Sequence, residues 1–420
     1  MPDVSDPLLA PPPPPAHVLS TWQQALAQVR DQAVTMRIAR ANVLQAEAQV
    51  RQALSPALPQ LTGQGLVTHY LLKGDIGGRR IPDPATFWQG SLTLRVPIFY
   101  PKAWYDHGSA KDALEAARLS EQETERQVVA GVADLIVSVV TAERLAEVSR
   151  SSLKAALSTV DLTKRRAALG ASNTLDVLRV EGEASLSRAQ VVQSTEALIR
   201  AREALGTALG SAEPWGVTPD IQVDSLALDA QRSCQRETNI TARADVRAAD
   251  ANLGVAERQL KGIDYAYLPT VDALSTFTVL TPASGVNNRH ETWTIGGVLN
   301  WNIYDGGLRG GQRTAATASV DAARANLAES KRNASLEVAQ AMRLVQVAEA
   351  NLAVAAKTRE IGAETARLSK ISFLNGSGTS FDLVTTESQL RVAQADLAVK
   401  EFDVMQAKIA AMLALSTCKL

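Results

Sequence analysis

The sequence predicts a mainly helical protein that also supplies four strands to a membrane β-barrel, each half of the chain reading helix, strand, strand, helix. Three observations carry this. Two long stretches rich in Ala, Arg, Glu and Gln contain no proline. Short segments alternate apolar and polar residues with the period of a strand. The whole pattern recurs after about 205 residues, as in an internally duplicated chain.

The 420 residues carry a formal net charge of -1, with 21% charged. So near a neutral balance, there is no electrostatic footprint for nucleic acid. Aromatic residues are only 4%, which suits long helices packed through small side chains. No segment reaches the roughly 18 consecutive apolar residues of a membrane helix. The nearest, Val128 to Val140, is broken by Asp134 and reads as a buried helix face.

Residues 1–19 begin MPDVSDPLLAPPPPPAH, acidic rather than basic and with a five-proline run from Pro11 to Pro15. This is not a recognisable signal peptide; it reads as a disordered, proline-rich tail. Residues 20–210 form the first repeat: a helix, a hairpin over about 60–100, and long helices over about 106–210. Pro59 marks the change from helix to strand, because proline cannot continue a helix without losing a hydrogen bond. Within the hairpin Leu92, Leu94, Val96 and Ile98 alternate with Thr93, Arg95 and Pro97.

Residues 211–242 read as a linker. The second repeat, 243–415, has a helix ended by Pro269, a hairpin over about 270–304 and long helices over about 308–415. Residues 416–420 read as a C-terminal tail. Between the repeats, Gly170 and Asp176-Val177-Leu178 lie over Gly376 and Asp382-Leu383-Val384. The first hairpin loop, LLKGDIGGRRIPDPA, is longer and more charged than TPASGVNNRHE, so it should project further.

From Asp106 to Leu169 and from Leu308 to Asn375 each proline-free helix could run ~100 Å. In the second, Leu327, Ala334, Ala341, Ala348 and Ala355 recur at every seventh residue, with Val338, Val345 and Leu352 interleaved. That is a coiled-coil seam of small residues. The heptad alone is equally explained by a single long coiled coil.

Cys234 and Cys418 lack metal-ligand spacing and each lies just beyond the long helices of its half. Unpaired spectators are the simpler reading; an oxidising compartment would allow a linking disulfide. His17, His69, His107 and His290 are scattered, and no nucleophile–base set or phosphate loop appears. Neither enzyme activity nor a metal or other cofactor is expected.

The strands are the informative part. Trp293, Ile295, Gly297, Leu299, Trp301 and Ile303 form one face, and Thr294, Gly296, Val298, Asn300, Asn302 and Tyr304 the other. Two hairpins leave open edges, prohibitive in lipid where each unpaired backbone group costs several kcal/mol. The first face suits lipid and the second a wet lumen. Trp293 and Trp301 are about 26 Å apart along a strand, so tilted strands would set an indole near each membrane interface. Trp88, Trp293 and Trp301 are the candidate interface residues. Four strands cannot close a barrel, so several chains must pool theirs. A coiled-coil scaffold, the competing reading, needs no lipid-compatible strands.

At this point the chain resembles the TolC-like outer membrane efflux proteins over about residues 18 to 415. The resemblance rests on the repeated halves, Ser20-Thr21-Trp22-Gln23-Gln24-Ala25-Leu26, Asn302-Ile303-Tyr304-Asp305-Gly306-Gly307 and the paired Gly-x5-Asp turns. It implies a homotrimer with a twelve-stranded outer membrane barrel continued by a periplasmic coiled-coil tunnel. It also implies a periplasmic adaptor, an inner-membrane pump and outer membrane lipid as partners, and export of small molecules, metals or polypeptides. An exported protein needs a signal, so either the native reading frame is expected to begin upstream of Met1 or the sequence is expected to have been edited there.

The resemblance further implies a periplasmic entrance at Asp382, with Asp176 its repeat equivalent. Where better-known relatives have an arginine and a second aspartate, this chain has Gly378 and Thr385, implying a less tightly locked entrance. Leu169-Gly170-Ala171 and Asn375-Gly376-Ser377 join the longest helices to their returning partners and are the candidate adaptor contacts. The plainer reading is that these glycines cap helices and that Asp382 serves the first helical turn.

Overall fold

The computed structural model describes residues 5–69, 71, 75–76, 79–80, 86–218, 234–236, 239–284 and 289–418. In chain order the elements are β1 (His17–Leu19), α1 (Trp22–Gln32), α2 (Val34–Leu54), β2 (Gln60–His69), β3 (Asp75–Ile76), β4 (Arg79–Arg80) and β5 (Thr86–Phe99). Then come α3 (Pro101–Ala168), α4 (Thr174–Ala208), β6 (Trp215–Val217), β7 (Cys234–Arg236) and α5 (Ala244–Tyr265). The last are β8 (Thr270–Ser284), β9 (Arg289–Asn300), α6 (Leu308–Leu374), α7 (Ser380–Leu413) and β10 (Ser416–Cys418).

Local chemistry sets these boundaries. The Thr21 hydroxyl accepts from the backbone N–H of Gln24 and caps α1. Strands β2 and β8 begin directly after Pro59 and Pro269. Helix α3 starts earlier than the expected Asp106, at Pro101, because the first helical position needs no N–H. Strand β9 stops at Asn300, short of the expected Ile303. The next ladder position would oppose Pro269, which has no donor to offer.

The chain divides into two compact units. One comprises Ala41–Arg118 and Ala248–Glu329 and holds a four-stranded sheet in the order β2-β5-β8-β9. All three pairings are antiparallel. The two hairpins thus join through β5 and β8, leaving β2 and β9 as edges. Beside the sheet, α3 and α5 meet through stacked Tyr105 and Tyr265 and the Arg258–Asp112 ion pair. The loop-projection expectation falls mainly on residues 71–85 and 281–291, much of which lies outside the described residues.

The other unit comprises Met1–Arg40, Leu119–Arg247 and Ser330–Leu420. Its core gathers Leu19, Trp22, Val29, Met36, Ile136, Leu205, Ile409 and Leu413 from β1, α1, α2, α3, α4 and α7. Burying each such side chain contributes about 1.5–3 kcal/mol relative to exposure. The small-residue seam of α6 is buried at Ala334, Ala341, Ala348 and Ala355, and Val345 and Leu352 pack with Val404 and Ala407 of α7.

Both chain ends depart from the expected tails. Residues 5–19 lie on the helices: Asp6 caps the turn Pro7–Leu9 and pairs with Arg188 of α4 at 2.9 Å. Leu8 and Leu9 pack on Leu153, Leu157 and Val191, the Pro13 carbonyl accepts from Arg202, and β1 pairs parallel with β6. Proline stiffness explains the order, since a segment already extended loses little entropy on docking. At the other end β10 pairs antiparallel with β7.

An ionic cluster sits where α7 ends. Arg243 holds Asp245 through two hydrogen bonds, Glu337 at 2.6 Å and the carbonyl of Ala414 at 2.9 Å. Arg126 of α3 reaches Glu123, Glu337 and the carbonyl of Leu413. Two guanidinium groups therefore satisfy the last carbonyls of α7, as the helix dipole favours.

Candidate functional site

Two regions carry the expected functional residues. In the sheet, register and alternation sort the side chains into a mainly apolar and a mainly polar face. Leu61 and Val67 of β2 share a face with Trp88, Leu92, Leu94 and Val96 of β5, with Val271, Ala273, Phe277 and Val279 of β8, and with Trp293, Ile295 and Leu299 of β9. The opposite face carries Gln60, Thr62 and Gln64, then Gln89, Ser91, Thr93 and Arg95, then Asp272, Thr276 and Thr278, then Thr292, Thr294 and Asn300. Leu66, Phe87, Leu274, Leu280 and Val298 interrupt this polar face, and His69, Thr86, Ser275, Thr281 and Glu291 interrupt the apolar one. On the polar face the Arg95 guanidinium donates to Asp272 at 2.6 Å, and the Thr93 and Thr276 hydroxyls meet at 3.3 Å. A sheet with one apolar face, one polar face and two open edges is suited to separating lipid from water.

Trp88, Trp293 and Trp301 are 62%, 72% and 57% exposed. The Trp293 indole N–H donates to the Ser275 hydroxyl at 2.9 Å, and that of Trp301 to the Tyr267 carbonyl at 3.1 Å. Trp88 opposes Thr281, and Trp293 opposes Phe277; Trp88 thus stands four β8 residues beyond Trp293 toward the hairpin ends, about 13 Å. Trp301 lies past the ladder, where the strand gives way to helix. There Asp305 accepts from the backbone of Gly307 and Arg309, and Arg309 pairs back to Asp305 while stacking on Tyr267.

The second region is the pair of turns, α3 to α4 and α6 to α7. They share one design. In the first, Gly170 has φ +75°; its N–H bonds to Ala167 and that of Ala171 to Arg166, the double bond that closes a helix on a left-handed residue. Three residues on, Asn173 caps α4 in a reciprocal box with Asp176. The second turn repeats this with Gly376 at φ +78° and a Thr379–Asp382 box. Leu169, Gly170, Ala171, Asn375, Gly376 and Ser377 are all exposed. Both aspartates are therefore capping groups, whatever else they do.

The turns also hold each other. The Arg166 guanidinium donates to the carbonyls of Phe373 and Leu374 and stacks on the Phe373 ring. The buried Ser380 hydroxyl donates to Asp176. That bond, first, then the Asn173 N–H and Ser172 hydroxyl, hold the Asp176 carboxyl below its ordinary value against the effect of burial. Among the described residues the Asp382 carboxylate accepts from Thr379 alone. Gly378 is pressed on the end of α6: an added Cβ would stand 3.0 Å from the Phe373 nitrogen. Thr385 lines a groove of about 770 Å³ with Thr358, Ile361 and Thr365 of α6.

Arg166, Ser380 and Arg309 escaped sequence reasoning. A basic residue in a last helical turn is favoured by the dipole anyway, so Arg166 carried no distinctive signal. Arg309 could have been found, four residues after Asp305 at a helix start. Among the described residues no His, Cys, Asp and Glu cluster is arranged to hold a metal ion, and no helix is long and apolar enough to cross a membrane.

The family model for outer membrane efflux proteins matches residues 23–211 and 237–416. Nodulation protein T of Rhizobium leguminosarum bv. trifolii is 29% identical over 384 residues, covering 84% of this chain and 76% of that protein. Among solved structures, CusC superposes with a TM-score of 0.81 at 18% identity, over 99% of this chain and 98% of its own. The outer membrane protein VceC of Vibrio cholerae gives 0.77 at 18% identity, over 94% and 95%.

Proposed function

The chain belongs to the outer membrane efflux protein family, and from that membership we propose that it is the trimeric exit channel of an efflux or type I secretion assembly. It is an outer membrane protein with its helices in the periplasm. The observation that carries the channel reading is the sheet, apolar on one face, polar on the other and open at both edges. Copies joined edge to edge would form a barrel with lipid outside and water inside.

Helix surfaces support the joining of copies. Val347, Val354, Ile361 and Leu368 of α6 are exposed at seven-residue intervals, turned away from the seam that packs on α7. Leu178, Ser185, Val192 and Ile199 of α4 have the same period, and the three apolar ones are exposed. Counted from the turns, the two rows pair level by level in antiparallel sense. We infer that α6 of one copy packs on α4 of the next. With both native cysteines replaced by serine, Val192→Cys with Val354→Cys is expected to crosslink chains into a covalent trimer on a denaturing gel. Crosslinking confined to single chains would refute this seam.

We propose further that Asp382 lines the entrance, where copies around an axis present a ring of like charge favouring cations. Its carboxylate is exposed and less bound locally than that of Asp176. Single-channel recordings should show Asp382→Asn reducing cation preference and block by multivalent cations added from the periplasmic side. Asp176→Asn should instead lower stability more and selectivity less. Unchanged selectivity in Asp382→Asn would leave it a helix cap alone. The turns Leu169-Gly170-Ala171 and Asn375-Gly376-Ser377 are proposed to meet the periplasmic adaptor, which would hand over cargo from an inner-membrane pump.

A further inference from the structure

Cys234 and Cys418 are the chain's two cysteines, nearly half its length apart. In the β7–β10 ladder they are directly opposed: Ser416 pairs with Arg236, Thr417 with Gln235 and Cys418 with Cys234. Opposed residues of antiparallel strands have Cα atoms about 4.5–5.5 Å apart. That lies inside the ~4.4–6.8 Å that a disulfide spans.

A second contact brings the same two segments together independently of the ladder. Buried Arg243, which follows β7 in the chain, donates to the carbonyl of Ala414, just before β10, at 2.9 Å. The Ser416 hydroxyl donates to the Met412 carbonyl at 2.6 Å and fixes the approach to β10. The strands themselves are three residues each, and a two-stranded sheet that short is marginal in water. The periplasm favours disulfides that the cytosol would reduce.

We propose that Cys234 and Cys418 form an intrachain disulfide fastening the end of α7 to the segment between the repeats. The thiolate of one cysteine attacks the disulfide of a periplasmic dithiol–disulfide oxidant, giving a mixed disulfide. The second thiolate then displaces the oxidant's sulfur. The chain gives up two protons and two electrons, and the oxidant leaves as a dithiol. This goes beyond the channel reading and uses only its compartment.

The test is thiol counting on protein extracted from outer membranes directly into denaturant with N-ethylmaleimide. The intact mass should show no adduct without reduction and two after it. A non-reduced digest should contain one linked peptide pair spanning Cys234 and Cys418 that reduction separates. The Cys418→Ser chain should take one adduct unreduced. Two adducts on the unreduced wild-type chain, or a disulfide-linked dimer on a non-reducing gel, would overturn the proposal. A conducting trimer with two free thiols would sink the disulfide and leave the channel standing.

Discussion

Arg243→Ala is expected to destabilise the helical unit by about 1.5–3 kcal/mol, the range for hydrogen bonds to charged groups, because Asp245 and Glu337 keep partial access to water. The Arg243 residue is 2% exposed. Alanine there would leave Asp245 and Glu337 without their shared cation and the Ala414 carbonyl without a donor. Arg126 reaches Glu337 at 3.5 Å but is bound chiefly to Glu123, so it compensates little. A pH signature accompanies the loss. Burial pushes the Asp245 carboxyl up, but hydrogen bonding and charge from Arg243 outweigh it and hold the group below its ordinary 3.8. Such a group stabilises the fold at neutral pH, and the contribution is lost as pH falls through the depressed value. Thermal unfolding in detergent, followed from neutral pH to below 3.8, should show the wild type losing this contribution only once the pH drops below that value, with Arg243→Ala already weak at neutrality. Equal melting of the two proteins at neutral pH would show that the cluster contributes nothing net.

Gly170→Arg is expected to abolish transport while leaving trimers in the membrane. The site is open, with nothing within 4 Å of an added Cβ, and neighbouring Leu169 is 84% exposed. The cost to folding is therefore mainly the left-handed backbone, about 1–2 kcal/mol for a non-glycine residue. Asparagine tolerates that conformation better, so Gly170→Asn separates a backbone effect from a surface effect. Loss of transport by arginine with retention by asparagine would mark a contact surface. Normal transport by the arginine variant, at normal expression, would leave Gly170 as a helix terminator and move the adaptor elsewhere.

How much was legible varied with the range of the interaction. The strands and long helices followed from local rules: Pro59 and Pro269 at the helix–strand changes, alternation from Leu92 to Ile98, and the alanine heptad of α6. The paired turns were legible because Gly, cap and aspartate sit at fixed spacing in both repeats. What stayed hidden depended on contacts distant in sequence. Composition made residues 5–19 look solvated, yet Asp6 meets Arg188 and Leu8 meets a patch built by α3 and α4. Ser380 and Asp176 belong to different repeats, and no spacing rule links them. Three-residue strands such as β7 and β10 are too short to leave a periodic trace, so the meeting of the chain's end with its middle was invisible.

The strand order β2-β5-β8-β9 has a consequence for symmetry. With an even number of antiparallel strands, the two free edges run in opposite directions. Edge β9 of one copy can therefore meet edge β2 of the next antiparallel, with no parallel junction anywhere in the ring. The junction inside a chain, β5 with β8, joins a first-repeat hairpin to a second-repeat hairpin, and the junction between chains does the same. A closed ring of identical copies would thus approximate twice the rotational order of its chain count. Every hairpin would sit between two hairpins of the other kind, whichever covalent chain it came from.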